Sequence, residues 1–134
     1  MKTFPFELDT PYHRFYSGQV EAITLTLSDG DITVYADHSF FVAPVVAGLI
    51  RIKDKNGNWK NAFVGDGVLE VKSHTTFLMT DTAEWPEEID REQAEASLAE
   101  AEETISTGTF KFEIDSAKAE ARRAKFRLKV KEMG

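Results

Sequence analysis

Apolar and polar positions alternate with a period of two up to about Thr82, and beyond Trp85 the pattern becomes helical. Phe4, Phe6 and Leu8 share one face against Pro5, Glu7 and Asp9, and Ile23, Leu25 and Leu27 alternate with Thr24, Thr26 and Ser28. Such alternation predicts half-buried strands. Asp29-Gly30 punctuates the second run, and Ile32 to Val34 resumes it. Phe40 to Val46 is a continuous apolar run interrupted by Pro44, a poor central strand because proline gives the ladder no donor. Leu49-Ile50-Arg51-Ile52 and Trp59 to Val64 flank Lys55-Asn56-Gly57-Asn58. Asn-Gly between alternating runs predicts a hairpin, with positive φ at both central residues if the turn is type I′. Val68 to Val71 and Thr76 to Met79 form a further expected pair around Ser73-His74. Many short strands with frequent turns predict a β-sandwich or barrel over residues 1–84.

Residues 87–134 carry a different signal. Ala94, Leu98, Ala101 and Ile105 fall at i, i+4, i+7 and i+11, and Ala117, Ala121, Ala124 and Leu128 repeat that spacing. Each set makes one apolar stripe on a helix. Folded back on each other, the stripes set Ala94 against Leu128, Leu98 against Ala124 and Ile105 against Ala117, small opposite large. Pro86 suits a helix start, Asp90 is the expected N-cap of the first helix, and Ser106 to Thr109 turns the chain. Asp115 or Ser116 is the expected cap of the second. The fold class is therefore α+β: an N-terminal antiparallel β-sandwich followed by a C-terminal antiparallel two-helix hairpin.

Charge sharpens this picture. The chain of 134 residues has a net charge of −7. Residues 87–110 hold eight acids and one arginine, whereas residues 111–134 hold four acids and eight lysines or arginines. An acidic helix beside a basic one attracts it, but exposed ion pairs contribute only about 0–1 kcal/mol each, against about 0.8 kcal/mol for each buried CH₂. A seam of methyl groups predicts a hairpin that forms and can also be pulled open. There are no cysteines, which excludes disulfides, thiolate catalysis and Cys-based zinc sites. His13, His38 and His74 lack metal-ligand spacing. No apolar run is long enough to span a bilayer, and no signal peptide precedes the first strand.

Local strings in this order resemble one family. Ser28-Asp29-Gly30-Asp31-Ile32 followed by Ala36-Asp37-His38-Ser39-Phe40, then Val64-Gly65-Asp66-Gly67-Val68-Leu69-Glu70-Val71, Ile89-Asp90, Arg127-Leu128 and Glu132-Met133, are similar to the ε subunit of bacterial F-type ATP synthase across nearly the whole chain. Thr33 stands where a glycine is common, Ala36-Asp37 where Pro-Gly is common, Phe40 where proline is common, and Asp66 replaces one of two paired glycines. The resemblance implies a non-catalytic subunit, peripheral at the cytoplasmic face of the cell membrane. Its β-domain would sit at the foot of the rotating stalk against the γ subunit and the c-ring. Its hairpin would fold down on the β-domain or extend into the α/β catalytic head and inhibit ATP hydrolysis during rotary, proton-driven ATP synthesis. By motif position Asp31 would face the c-ring and His38 the γ subunit. Some members bind ATP between the two helices through an Ile-Asp, two residues, Arg-Ala motif. Here Gln93 occupies the arginine position, and glutamine supplies only a neutral donor. Weak or absent ATP binding is expected, with Asp90, Arg123 and Arg127 the residual candidates.

The remaining motifs read more plainly. Asp37-His38-Ser39 is no triad, since neighbours in an extended chain point to opposite faces. Gly65 and Gly67 lack the Lys-Ser/Thr partner and following helix of a phosphate loop. The basic end, Arg122, Arg123, Lys125, Arg127, Lys129 and Lys131, admits three readings: pairing with the acidic first helix, an acidic partner segment in the catalytic head that the resemblance implies, or nucleic acid or membrane phosphate. No aromatic platform interleaves it as a single-strand binder requires, so no nucleic-acid partner and no direct membrane insertion are expected. A free-standing ligand-binding β-sandwich with a helical tail is the alternative. A glycosidase-like carboxylate pair is the third reading, because carboxylate separation is three-dimensional.

Overall fold

The computed structural model describes residues 2–27 and 30–134. Eight strands precede two long helices: β1 (Phe4–Asp9), β2 (Arg14–Leu27), β3 (Gly30–Tyr35), β4 (Phe41–Asp54), β5 (Trp59–Val64), β6 (Gly67–Val71), β7 (Thr76–Thr80), β8 (Ala83–Glu84), α1 (Arg91–Thr107) and α2 (Lys111–Met133). The expected turn at Asp29-Gly30, together with Ser28, falls on Ser28 and Asp29, which lie outside the described residues.

The strands run in the order β3-β2-β1-β7-β6-β4-β5-β8, and a further β2–β4 pairing closes the sheet on itself. The two long strands make this closure. The first half of β2 pairs with β1, and its second half pairs with β3 and β4. β4 likewise pairs with β6 up to Val45, then with β5 and β2. Register shifts between Val20 and Ala22 and between Leu25 and Leu27 bend the ladder where strands change layers. The core between the layers is built from the alternating positions, among them Phe6, Leu8, Ile23, Leu25, Ile50, Ile52, Leu69 and Leu78, all buried.

Three local expectations change. The sandwich is not wholly antiparallel: β1 and β7 pair in parallel. Five intervening strands separate them in the chain, so no tight turn dictates opposite directions. The run containing Pro44, expected to make a poor central strand, is the start of the long strand β4. Pro44 pairs with Val68 of β6, and the β2 ladder reaches β4 only at Val45, so the proline sits where β4 is paired on one side alone. The Asn56-Gly57 turn is not type I′, because Gly57 (φ 83°) has positive φ and Asn56 does not. The Gly57 N–H bonds the Asp54 carbonyl, and the Asp54 N–H bonds the Asn58 carbonyl. This is a three-residue loop with glycine at its left-handed position. The Asp54 carboxylate accepts from the Asn56 and Asn58 N–H groups and selects it.

The helices follow the stripes. Asp90 caps α1 by accepting from the Gln93 N–H at 3.1 Å. Ala94, Ala101, Ala117, Ala121 and Ala124 are buried, with Leu98 and Ile105 packed against the alanine seam. The second helix begins a turn earlier than expected. Its N-cap is Phe110, which makes no side-chain cap, and Asp115 and Ser116 lie within the helix.

Candidate functional site

The hairpin lies folded against the sandwich, and α2 makes the contact. Residues 122, 126 and 130 recur every four positions, as do 123, 127 and 131, so these two rows share one side of the helix. Phe126 and Val130 supply the apolar row. Val130 is fully buried with Ala47 and Phe63 of the sandwich and with Ile89, while Leu49 and Phe126 pack around them. The linker is anchored too: Trp85 stacks on Phe15 with centroids 4.4 Å apart, and its backbone N–H donates to Glu88 Oε1 at 2.8 Å.

The cationic row supplies directional contacts. Arg122 Nε donates to the Ala47 carbonyl at 2.8 Å. Arg123 Nη2 donates to Asp66 Oδ2 and Asp81 Oδ2, each at 3.0 Å. Arg127 grips Glu84 with two bonds of 3.0 Å and lies 4.5 Å from the Phe63 ring centroid. Lys131 Nζ donates to the Pro86 carbonyl at 3.0 Å. Burial opposes the charge on Arg123, but its hydrogen bond and attraction to Asp81, and then to Asp66, outweigh burial and hold its pKa above the ordinary arginine value. Asp66 is braced in turn, since its Oδ1 accepts the Ala47 N–H at 2.8 Å.

This corrects the expected pairing of the basic end with the acidic first helix. Among the described residues no ion pair joins α1 to α2. The α1-facing side of α2 is its alanine stripe, and the neighbouring side presents the arginines to the sandwich. Lys125 and Lys129 are exposed, with Lys129 Nζ 6.0 Å from the Phe126 ring. Sequence reasoning missed Asp66, Asp81 and Glu84 as partners. One signal was present, since Asp66 stands where the resembling family has a glycine.

The nucleotide candidates separate. Asp90 and Arg127 line a 220 Å³ cavity with Glu84, Glu88 and Gln93, whereas Arg123 is turned to Asp66 and Asp81. Three carboxylates share this cavity with one arginine, which is already bonded to Glu84. The cavity is also smaller than the roughly 300 Å³ at which ligand pockets begin. No cluster of potential metal ligands occurs among the described residues.

Asp31 and His38 lie elsewhere on the sandwich. Asp31 is exposed near the start of β3, where Thr26 Oγ1 donates to its Oδ1 at 3.1 Å. His38 sits in the loop before β4 with its ring 5.1 Å from that of Phe41. That loop leads into an exposed apolar row. Pro44, Val68 and Met79 are cross-strand neighbours on β4, β6 and β7, all exposed, with Val42 two residues along and Phe40 beside the loop. No described helix is long and apolar enough to cross a membrane.

Residues 3–86 match the family model for the ATP synthase delta/epsilon chain beta-sandwich domain, and residues 87–132 match that for its long alpha-helix domain. The ATP synthase epsilon chain of Caldanaerobacter subterraneus is 42% identical over 130 residues, covering 96% of this chain and 94% of that one. The epsilon chain of Caldicellulosiruptor bescii is 37% identical, covering 98% and 96%. In fold, the chain is similar to one from the Euglena gracilis mitochondrial ATP synthase OSCP/F1/c-ring assembly (TM-score 0.83, 19% identity, 92% of this chain and 78% of that one). It is also similar to one from the Tetrahymena thermophila mitochondrial ATP synthase central stalk and c-ring (TM-score 0.63, 15% identity, 97% of each). With both of its parts matched in order, the sandwich and the helical pair, this chain belongs to the ATP synthase delta/epsilon chain family.

Proposed function

We propose that this chain is a non-catalytic central-stalk subunit of a rotary ATP synthase, peripheral at the cytoplasmic face of the membrane. The sandwich binds the γ subunit and the c-ring, and the hairpin regulates ATP hydrolysis in the catalytic head. The observation that carries the reading is the exposed apolar row of Val42, Pro44, Val68 and Met79, beside the His38 loop. Exposed contiguous apolar surface on a small domain marks a partner site, and the family resemblance supports the γ subunit as that partner. Asp31, exposed near the start of β3, is the residue through which the sandwich would meet the c-ring.

Regulation follows from mutual exclusion. In the folded state Arg122, Arg123 and Arg127 are engaged by the sandwich, and Lys131 by the Pro86 carbonyl of the linker. They reach an acidic segment of the head only after the hairpin leaves. Lys125 and Lys129 are free in both states and steer the approach. The pairing of both nucleotide-candidate arginines with carboxylates supports weak or absent ATP binding. The free-standing sandwich reading calls for an apolar pocket within residues 1–84, whereas the 760 Å³ cavity lies between the two helices of the hairpin.

Reconstitution with γ tests the proposal. Val68→Lys on the full chain should abolish copurification with γ while the isolated chain keeps its fold. Retained copurification would overturn the assignment of this face. Removing residues 87–134 should leave assembly intact and change ATP hydrolysis by the complex.

A further inference from the structure

The tip of the hairpin breaks two local rules at once. α2 starts on Phe110, which offers no side-chain acceptor to the first-turn N–H groups, although Ser, Thr, Asp or Asn is strongly preferred there. Phe110 and Phe112 are also 71% and 85% exposed, and neither packs against a buried cluster. Departures from local preference without a folding return concentrate at functional sites.

These two rings border a cavity of 760 Å³ between α1 and α2, floored by Ala101 and Ala117 and rimmed by Glu100, Glu113 and Glu120. No lysine or arginine lines it. The groove lies clear of the latch to the sandwich, whose hydrogen bonds come from Arg122 onward. A trough between two antiparallel helices suits a third helix, whose anchors at i, i+3, i+4 and i+7 enter the apolar floor. The carboxylate rim selects the sign of the flanks.

We propose that this groove is a docking site for a basic amphipathic helix of a partner protein, clamped by Phe110 and Phe112 and held by Glu100, Glu113 and Glu120. The site does not depend on the stalk reading. The opposite flank of the same hairpin bears Lys118, Arg122 and Lys125 around Ile105 and Phe126, so a second copy of the chain presenting that flank is the competing occupant.

The full chain is titrated with two fluorescent synthetic helices sharing one apolar edge, the first flanked by lysines and the second by glutamates. The lysine helix is expected to bind and the glutamate helix is not. Phe112→Ser and Glu113→Lys, checked for unchanged helical circular dichroism, are each expected to weaken binding about tenfold or more. Equal binding of both helices, no binding of either, or no effect of both substitutions would overturn the proposal. Sedimentation of the chain alone completes the test: self-association abolished by Phe112→Ser would assign the groove to a second copy and overturn the partner helix.

Discussion

Arg127 is the best single point at which to test whether the hairpin is held down by charge. Arg127→Met keeps the aliphatic stem and removes the guanidinium. The wild-type side chain makes two 3.0 Å bonds to Glu84, and both partners are about one quarter exposed (26% and 24%). A fully exposed pair contributes about 0–1 kcal/mol, and hydrogen bonds to charged groups contribute about 1.5–3 kcal/mol. This half-buried, two-pronged pair lies between those limits, and the stacking of the guanidinium over Phe63 adds to it. A loss of about 2 kcal/mol is expected, which lowers the ratio of docked to released hairpin about 30-fold. Because the chain has no cysteine, Lys55→Cys and Glu102→Cys give a unique dye pair. Energy transfer between sandwich and hairpin then reads release, titrated with urea below the unfolding of the sandwich. Salt should promote release in the wild type and act less in Arg127→Met, since screening has less charge to act on. A double-mutant cycle with Glu84→Gln isolates the pair. Release within twofold of wild type, or a cycle with no coupling between Arg127 and Glu84, would refute the ionic account at this pair and leave the hold to the Arg123 contacts and the apolar contact of Val130.

The other predictions probe the contact and the sandwich. Val130→Ala removes two buried carbons from the docking contact and should weaken it by about 1.6 kcal/mol or more, read in the same energy-transfer assay with little change in salt dependence. Gly67→Ala should destabilise the sandwich by about 1–3 kcal/mol in urea denaturation, because an added Cβ runs into the Met79 carbonyl on β7. Glu7 should make the sandwich pH-dependent. A hydrogen bond with Asp9, and then burial, raise its pKa above the ordinary 4.5, although Arg14 opposes them. The folded state therefore holds this proton more tightly than the unfolded one. The stabilisation is complete below 4.5 and is lost as pH rises through the higher folded value. Glu7→Gln should raise the thermal midpoint at pH 7 and leave it unchanged at pH 3.5. An equal gain at both values would show that titration is not the cause.

What the sequence revealed of this molecule follows the range of the forces involved. Period-two alternation in Phe4, Phe6 and Leu8, and the stripes of Ala94 to Ile105 and Ala117 to Leu128, were legible because each is a local consequence of which side chains face a core. The Asp90 cap was legible for the same reason, its carboxylate lying three residues from the N–H it binds. The start of α2 was not, since Phe110 has no capping group and the polar residues that suggested a cap sit further along. β4 read as two runs because Pro44 looks like a break, whereas the strand continues by changing partners. The latch was least legible. Arg123 meets Asp81 and Asp66 across 42 and 57 positions, and a net-charge argument pairs α2 with the nearest acidic segment, α1. Helix geometry decides otherwise. Once Ala117, Ala121 and Ala124 face α1, Arg123 and Arg127 are turned aside from it, and the carboxylates that receive them belong to the sandwich. The hairpin therefore has two separable contacts, an apolar seam within itself and a mixed ionic and apolar one to the sandwich. Release requires breaking only the second.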